Sequence, residues 1–71
     1  MNVIAVRQEQ RINKINQIAE SIKKVEKPVN LKDVIMATMS NLGVAKRTAR
    51  EYIEIAVYQL GLKINEKGEI A

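Results

Sequence analysis

The chain has no cysteine, no histidine, no tryptophan and no phenylalanine, and only one proline and three glycines in 71 residues. Without Cys or His it has no disulfide staple, zinc-finger ligand set, catalytic thiol, imidazole base or haem axial histidine. No run of about 18 consecutive apolar residues occurs, which argues against a membrane-spanning helix. The opening stretch MNVIAVRQEQRINK turns polar too soon for a signal-peptide core, so a soluble intracellular protein is expected. A Gly-rich phosphate loop and a paired-acid motif are also missing. What remains for catalysis is a few Ser and Thr hydroxyls, two tyrosines, lysines and scattered carboxylates, and an enzyme is not expected.

The composition that is present, 46% apolar and 28% charged, fits one small globular domain. A core in so short a chain is marginal, which makes a partner subunit a reasonable expectation. The net charge of +4 permits an acidic partner such as nucleic acid without requiring one. The excess is uneven. Residues 31–71 carry six Lys and Arg against five Asp and Glu, whereas the first 30 carry six against three.

Pro28 divides the chain into an N-terminal element, residues 1–27, and a C-terminal unit, residues 28–71. From Ile12 to Val25 the apolar residues Ile12, Ile15, Ile18, Ala19, Ile22 and Val25 follow the three-and-four spacing of an amphipathic helix. Extended backward, the same stripe meets Arg11 and Gln8 before Ile4, so the first turns have no continuous face to bury. A helix from Val3 to Lys24 would be about 33 Å long, against about 20–25 Å for a globule of the other residues. The surplus suggests association through this helix. Ile4, Ile15, Ile18 and Ile22 are candidates for a dimer seam, and Ile15, Ile18 and Ile22 would equally serve the domain's own core. Lys14, Lys23, Lys24 and Lys27 form either a solvated face or extra phosphate contacts. A membrane-surface anchor is disfavoured, because the stripe lacks Trp and Phe and Glu9, Glu20 and Glu26 interrupt its basic character.

In KPVNLKDV, Asn30 is suited to cap a helix with Asp33 at its third position, and Val29 and Val34 stand where a hydrophobic staple requires them. A second helix is predicted from Leu31 to about Leu42, with Leu31, Val34, Ile35, Met39 and Leu42 inward and Gly43 at its end. Helical spacing resumes in AKRTAREYIEIAVYQLGL, with Ala49, Tyr52, Ile53, Ala56, Val57 and Leu60 on one side and Gly61 terminating it. The tail LKINEKGEIA reads as a small hairpin, with Leu62 and Ile64 before a polar turn at Asn65–Gly68 and Ile70 after it.

Two helices joined by a Gly-containing turn of about three residues, the second starting with basic side chains, form a helix-turn-helix arrangement. MATMSNLGVAKRTAREYI resembles that family over about 20 residues, with Met39 against the second helix, Gly43 in the turn, Val44 after it, and Ala49 and Tyr52 inward. With the preceding helix, the extended KPVN and the terminal hairpin, nearly the whole chain resembles a winged helix-turn-helix domain of the small archaeal or viral regulator kind. The implied fold is mainly α with a small β-hairpin and a long N-terminal helix. Two positions depart from the pattern: Ala45 stands where Ser or Thr often caps the recognition helix, and Met39 is larger than the usual alanine.

The resemblance implies sequence-specific binding of double-stranded DNA by a homodimer, with helix 45–60 in the major groove, no cofactor, and a cytoplasmic, nucleoid-associated location. Positions that reach base edges correspond to Lys46, Arg47, Thr48, Arg50 and Glu51. Arg47 and Arg50 suit guanine because the guanidinium fork donates to O6 and N7 together, and Glu51 suits cytosine N4 or the orientation of an arginine. An uncapped start at Ala45 leaves N–H groups near Lys46 and Arg47 for a phosphate. Lys63 and Lys67 would be the wing's contributions. Ile55 and Tyr58, off the main stripe, would receive a partner's first helix. Met36 also lies outside its helix's stripe. The plainer alternative for Lys46, Arg47, Arg50, Glu51 and Glu54 is a solvated face laced with i,i+4 pairs. The competing function is a protein-interaction adaptor on the same scaffold, without DNA binding. No small-molecule ligand is evident from the sequence.

Overall fold

A computed structural model describes residues 3–25 and 28–71 of the chain. Helix α1 (Val3–Lys24) is followed by β1 (Val29–Asn30), α2 (Leu31–Leu42), α3 (Lys46–Gln59) and β2 (Glu69–Ile70). The fold is mainly helical, as the periodicity predicts, with a small two-stranded antiparallel sheet made by β1 and β2. Both α1 and α2 pack against α3, and they touch each other only sparingly.

The core is aliphatic. Ile15, Ile18 and Ile22 of α1, Ile35 of α2, and Ala49, Ile53, Ala56 and Val57 of α3 bury together with Ile70. The α1 isoleucines are 5%, 4% and 1% exposed, so they cover their own domain and are not available as a dimer seam. Ile4, the fourth residue considered for that seam, has its side chain outside the described residues. The ends of the α1 stripe behave differently from its middle, since Ile12 is 56% and Val25 53% exposed. No residue from Gln8 to Asn13 is buried, and the molecule is drawn out to 43 × 22 × 20 Å. The helix outruns the globule that α2 and α3 can build beside it.

Helix α2 begins as its sequence prescribes. The Asn30 side chain accepts from the Lys32 N–H at 2.9 Å, and Asp33 lies in the first turn, where the helix dipole favours an acid. It ends at Gly43, whose φ of 63° is left-handed and whose N–H donates to the Met39 carbonyl at 3.0 Å. Of the predicted inward face Ile35 is fully buried, and Leu31, Val34, Met39 and Leu42 are half-buried. Thr38, which the apolar pattern passes over, is only 5% exposed.

The tail folds back as the hairpin the turn residues specify, with Lys63 and Ala71 exchanging both backbone hydrogen bonds at 3.0 Å. Its first arm is reduced to a single bridge, Ile64 opposite Ile70. At the tip the Gly68 N–H donates to the Asn65 carbonyl, and the Asn65 side chain accepts from the N–H groups of Lys67 and Glu69. Gly68 itself has φ 77°, the left-handed residue that closes a three-residue hairpin loop. On the other side β2 pairs with β1, Val29 opposite Ile70. Ile70 is therefore flanked by Val29 and Ile64 and is fully buried.

Candidate nucleic-acid interface

The segment between α2 and α3 is three residues, Gly43, Val44 and Ala45. Ala45 takes the extended conformation of an N-cap but offers no side-chain hydrogen bond. Its carbonyl accepts from the Ala49 N–H at 2.9 Å, so α3 starts cleanly while its first N–H groups lack a side-chain acceptor. Those groups carry the positive end of the helix dipole, and Lys46 and Arg47 beside them are exposed.

The inward stripe of Ala49, Ile53, Ala56 and Val57 fixes which side chains face out. Arg47, Arg50, Glu51, Glu54 and Tyr58 all lie on the exposed side. Arg47 is among the freest side chains, 93% exposed, with its Nε 4.0 Å from Glu51 Oε1. Arg50 Nε donates to Glu54 Oε1 at 3.4 Å. Both i,i+4 pairs foreseen for this face are thus present, and at such exposure they orient the guanidinium groups more than they stabilise the fold. Thr48 is half-buried, at the margin of the face.

One basic residue of the site is not among the candidates that the sequence offers. Arg11 of α1 places its guanidinium carbon 5.8 Å from the centroid of the Tyr52 ring, a cation–π arrangement. It also lines a shallow hollow of about 360 Å³ with Glu51, Glu54, Ile55 and Tyr58. Its position one turn before Ile15, on the apolar stripe, was the available signal. An arginine there sets its guanidinium over the aromatic ring while the residue stays exposed to water.

The two hairpin lysines are placed differently from the base-contact candidates. Lys63 and Lys67 are exposed, but the hairpin is tied down, because the Leu31 N–H donates to the Gly68 carbonyl at 2.8 Å. The tip therefore sits at the start of α2, where it satisfies one of that helix's open N–H groups. Lys63 follows the C-terminal end of α3, about 20 Å along the helix from Lys46. Of the remaining association candidates, Ile55 is half-buried, whereas Tyr58 is 84% exposed. Met36 is also exposed.

No described helix is long and apolar enough to cross a membrane, and no group of three or more acidic side chains is placed to hold a metal ion among the described residues. No family model matches the chain, and neither a curated protein nor a solved structure matches it. The fold defines a small, mainly helical domain in which two of the helices are joined by a three-residue turn and a minimal antiparallel sheet is present.

Proposed function

We propose that the chain is a winged helix-turn-helix domain that binds double-stranded DNA sequence-specifically and regulates transcription as a homodimer, with α3 in the major groove. One observation carries this reading: α3 follows a three-residue turn and begins without a side-chain cap, with Lys46, Arg47 and Arg50 exposed around its first two turns. That arrangement combines a dipole and open N–H groups for a phosphate with two guanidinium forks for base edges. Glu51 and Glu54 hold the forks along the helix surface, and Thr48 borders the same face. Lys63 and Lys67 supply backbone phosphate contacts from the hairpin, and DNA in the cytoplasmic nucleoid is the expected target.

The near-neutral charge of residues 31–71 gives weak long-range attraction, so two linked copies are needed for useful affinity. With Ile15, Ile18 and Ile22 buried in their own core, the second copy meets the hollow lined by Arg11, Ile55 and Tyr58.

The adaptor alternative has its own support in the interleaving of carboxylates with both arginines. Fluorescence anisotropy of a labelled mixed-sequence duplex, titrated at low and near-physiological salt, separates the two. Salt-sensitive binding that is lost in Arg47→Ala/Arg50→Ala, with the helical circular dichroism unchanged, is the expected result. Absence of binding at low salt would favour the adaptor.

A further inference from the structure

We infer that the hollow at Arg11 is a two-fold interface between copies of this chain, in which Arg11 of each copy takes the Glu54 carboxylate of the other. This deepens the homodimer part of the proposed function and rests on it, but its test contains no DNA, so it can fail while DNA binding stands.

The composition of the hollow is that of a protein contact. The chain has eight lysines and four arginines, yet the basic residue lining this hollow is an arginine, beside Glu51, Glu54, Ile55 and Tyr58. Arginine and tyrosine are enriched in protein interfaces, and lysine is depleted there. Tyr58 is fully exposed and Ile55 half-buried, so an aromatic and an aliphatic side chain leave water together when the hollow is covered.

Charge selects the occupant. Arg47 and Arg50 each lie within 4.0 Å of a carboxylate. Arg11 has no carboxylate within that distance among the described residues, and residues 1–7 contain no acid. The Tyr52 ring, 5.8 Å from its guanidinium carbon, restrains the fork without neutralising it. The hollow therefore carries an unpaired cation next to two carboxylates. A uniformly acidic partner would meet Glu51 and Glu54 there, and a uniformly basic one would meet Arg11. A second copy related by a two-fold axis brings a carboxylate to each Arg11 and an arginine to each carboxylate it pairs with. Glu54 is the one taken, because Glu51 borders the base-reading turns of α3. On that helix the hollow runs from Glu51 to Tyr58, beyond Lys46 and Arg47, so the seated copy leaves the start of α3 open. Exposed ion pairs add little affinity and more selectivity. Ile55 and Tyr58 supply the affinity, and Arg11 fixes the register.

Sedimentation of the full chain over a wide range of concentration tests this. The expected result is a monomer–dimer equilibrium with no larger species, weakened about tenfold or more by Arg11→Glu and by Glu54→Arg, each of which sets like charges against each other. Mixing the two variants restores dimers, because both contacts of the mixed pair then join a carboxylate to a guanidinium. Amide shifts of the unsubstituted protein on dilution, concentrated in residues 9–13 and 51–58, give the same answer without depending on how the variants fold. A chain that stays monomeric at every concentration, undiminished association in both folded variants, or a mixture that associates no better than its components would overturn the inference. So would growth beyond the dimer, or dilution shifts centred on residues 17–25 and 33–42.

Discussion

Helices α2 and α3 are separated by three residues and begin in opposite ways. At α2 the Asn30 side chain takes the Lys32 N–H and the Gly68 carbonyl takes that of Leu31. At α3 the N-cap is an alanine, which offers no side-chain hydrogen bond to the first turn. A satisfied helix start joins parts of a fold, here the hairpin to α2. A bare one keeps donors and a partial positive charge facing outward. The basic residues follow the same division, since exposed Lys46, Arg47 and Arg50 surround the bare start, whereas the α2 start carries Asp33 and Lys32.

The contrast breaks most severely at the α2 end. Ile70→Ala removes the fully buried side chain that seats the hairpin between Val29 and Ile64, and it should cost about 2–5 kcal/mol in urea-induced unfolding. The Gly68 clamp on Leu31 would loosen with it, visible as faster amide exchange at Leu31. At the α3 end, Arg47→Ala and Arg50→Ala should each weaken duplex binding by about 1–3 kcal/mol, tenfold or more, as loss of a bidentate base contact does. Their unfolding free energies should stay within about 0.5 kcal/mol of the parent, because both side chains are exposed.

Much of this was legible in the amino-acid order because its signals are local. Asn30 with Asp33, Gly43 after Leu42, the inward stripe from Ala49 to Leu60 and the turn at Asn65–Gly68 each act within a few residues of where they stand. Contacts between distant segments were not legible. Periodicity shows that Ile15, Ile18 and Ile22 share a face but not what that face meets, and both a core and a dimer seam fitted. The same limit hid the exposure of Ile12 and Val25, the burial of Thr38, the Arg11–Tyr52 contact and the Leu31–Gly68 bond that ties down the hairpin. That α1 and α2 both lean on α3 while touching each other sparingly is likewise something no single helix records.

Smaller effects sharpen the comparison. Asn30→Ala removes the side-chain cap and should destabilise the domain by about 1 kcal/mol in thermal unfolding, with DNA affinity per folded molecule unchanged. Ala45→Ser makes the α3 start resemble that of α2. It should raise stability by no more than about 1 kcal/mol while weakening duplex binding a few-fold, since the new hydroxyl competes with phosphate for the same N–H groups. Equal or tighter binding by Ala45→Ser would remove the bare start from the DNA-binding account.

The most direct test of the central claim compares the two helix starts within one sample. In a ¹⁵N–¹H titration of the protein with a short duplex at low salt, the amides of Lys46, Arg47 and Thr48 are predicted to shift strongly, those of Arg50 and Glu51 to follow, and those of Leu31 and Lys32 to stay in place. Shifts confined to the α2 start, or no shifts at any duplex concentration, would contradict the assignment of α3 as the DNA-reading helix.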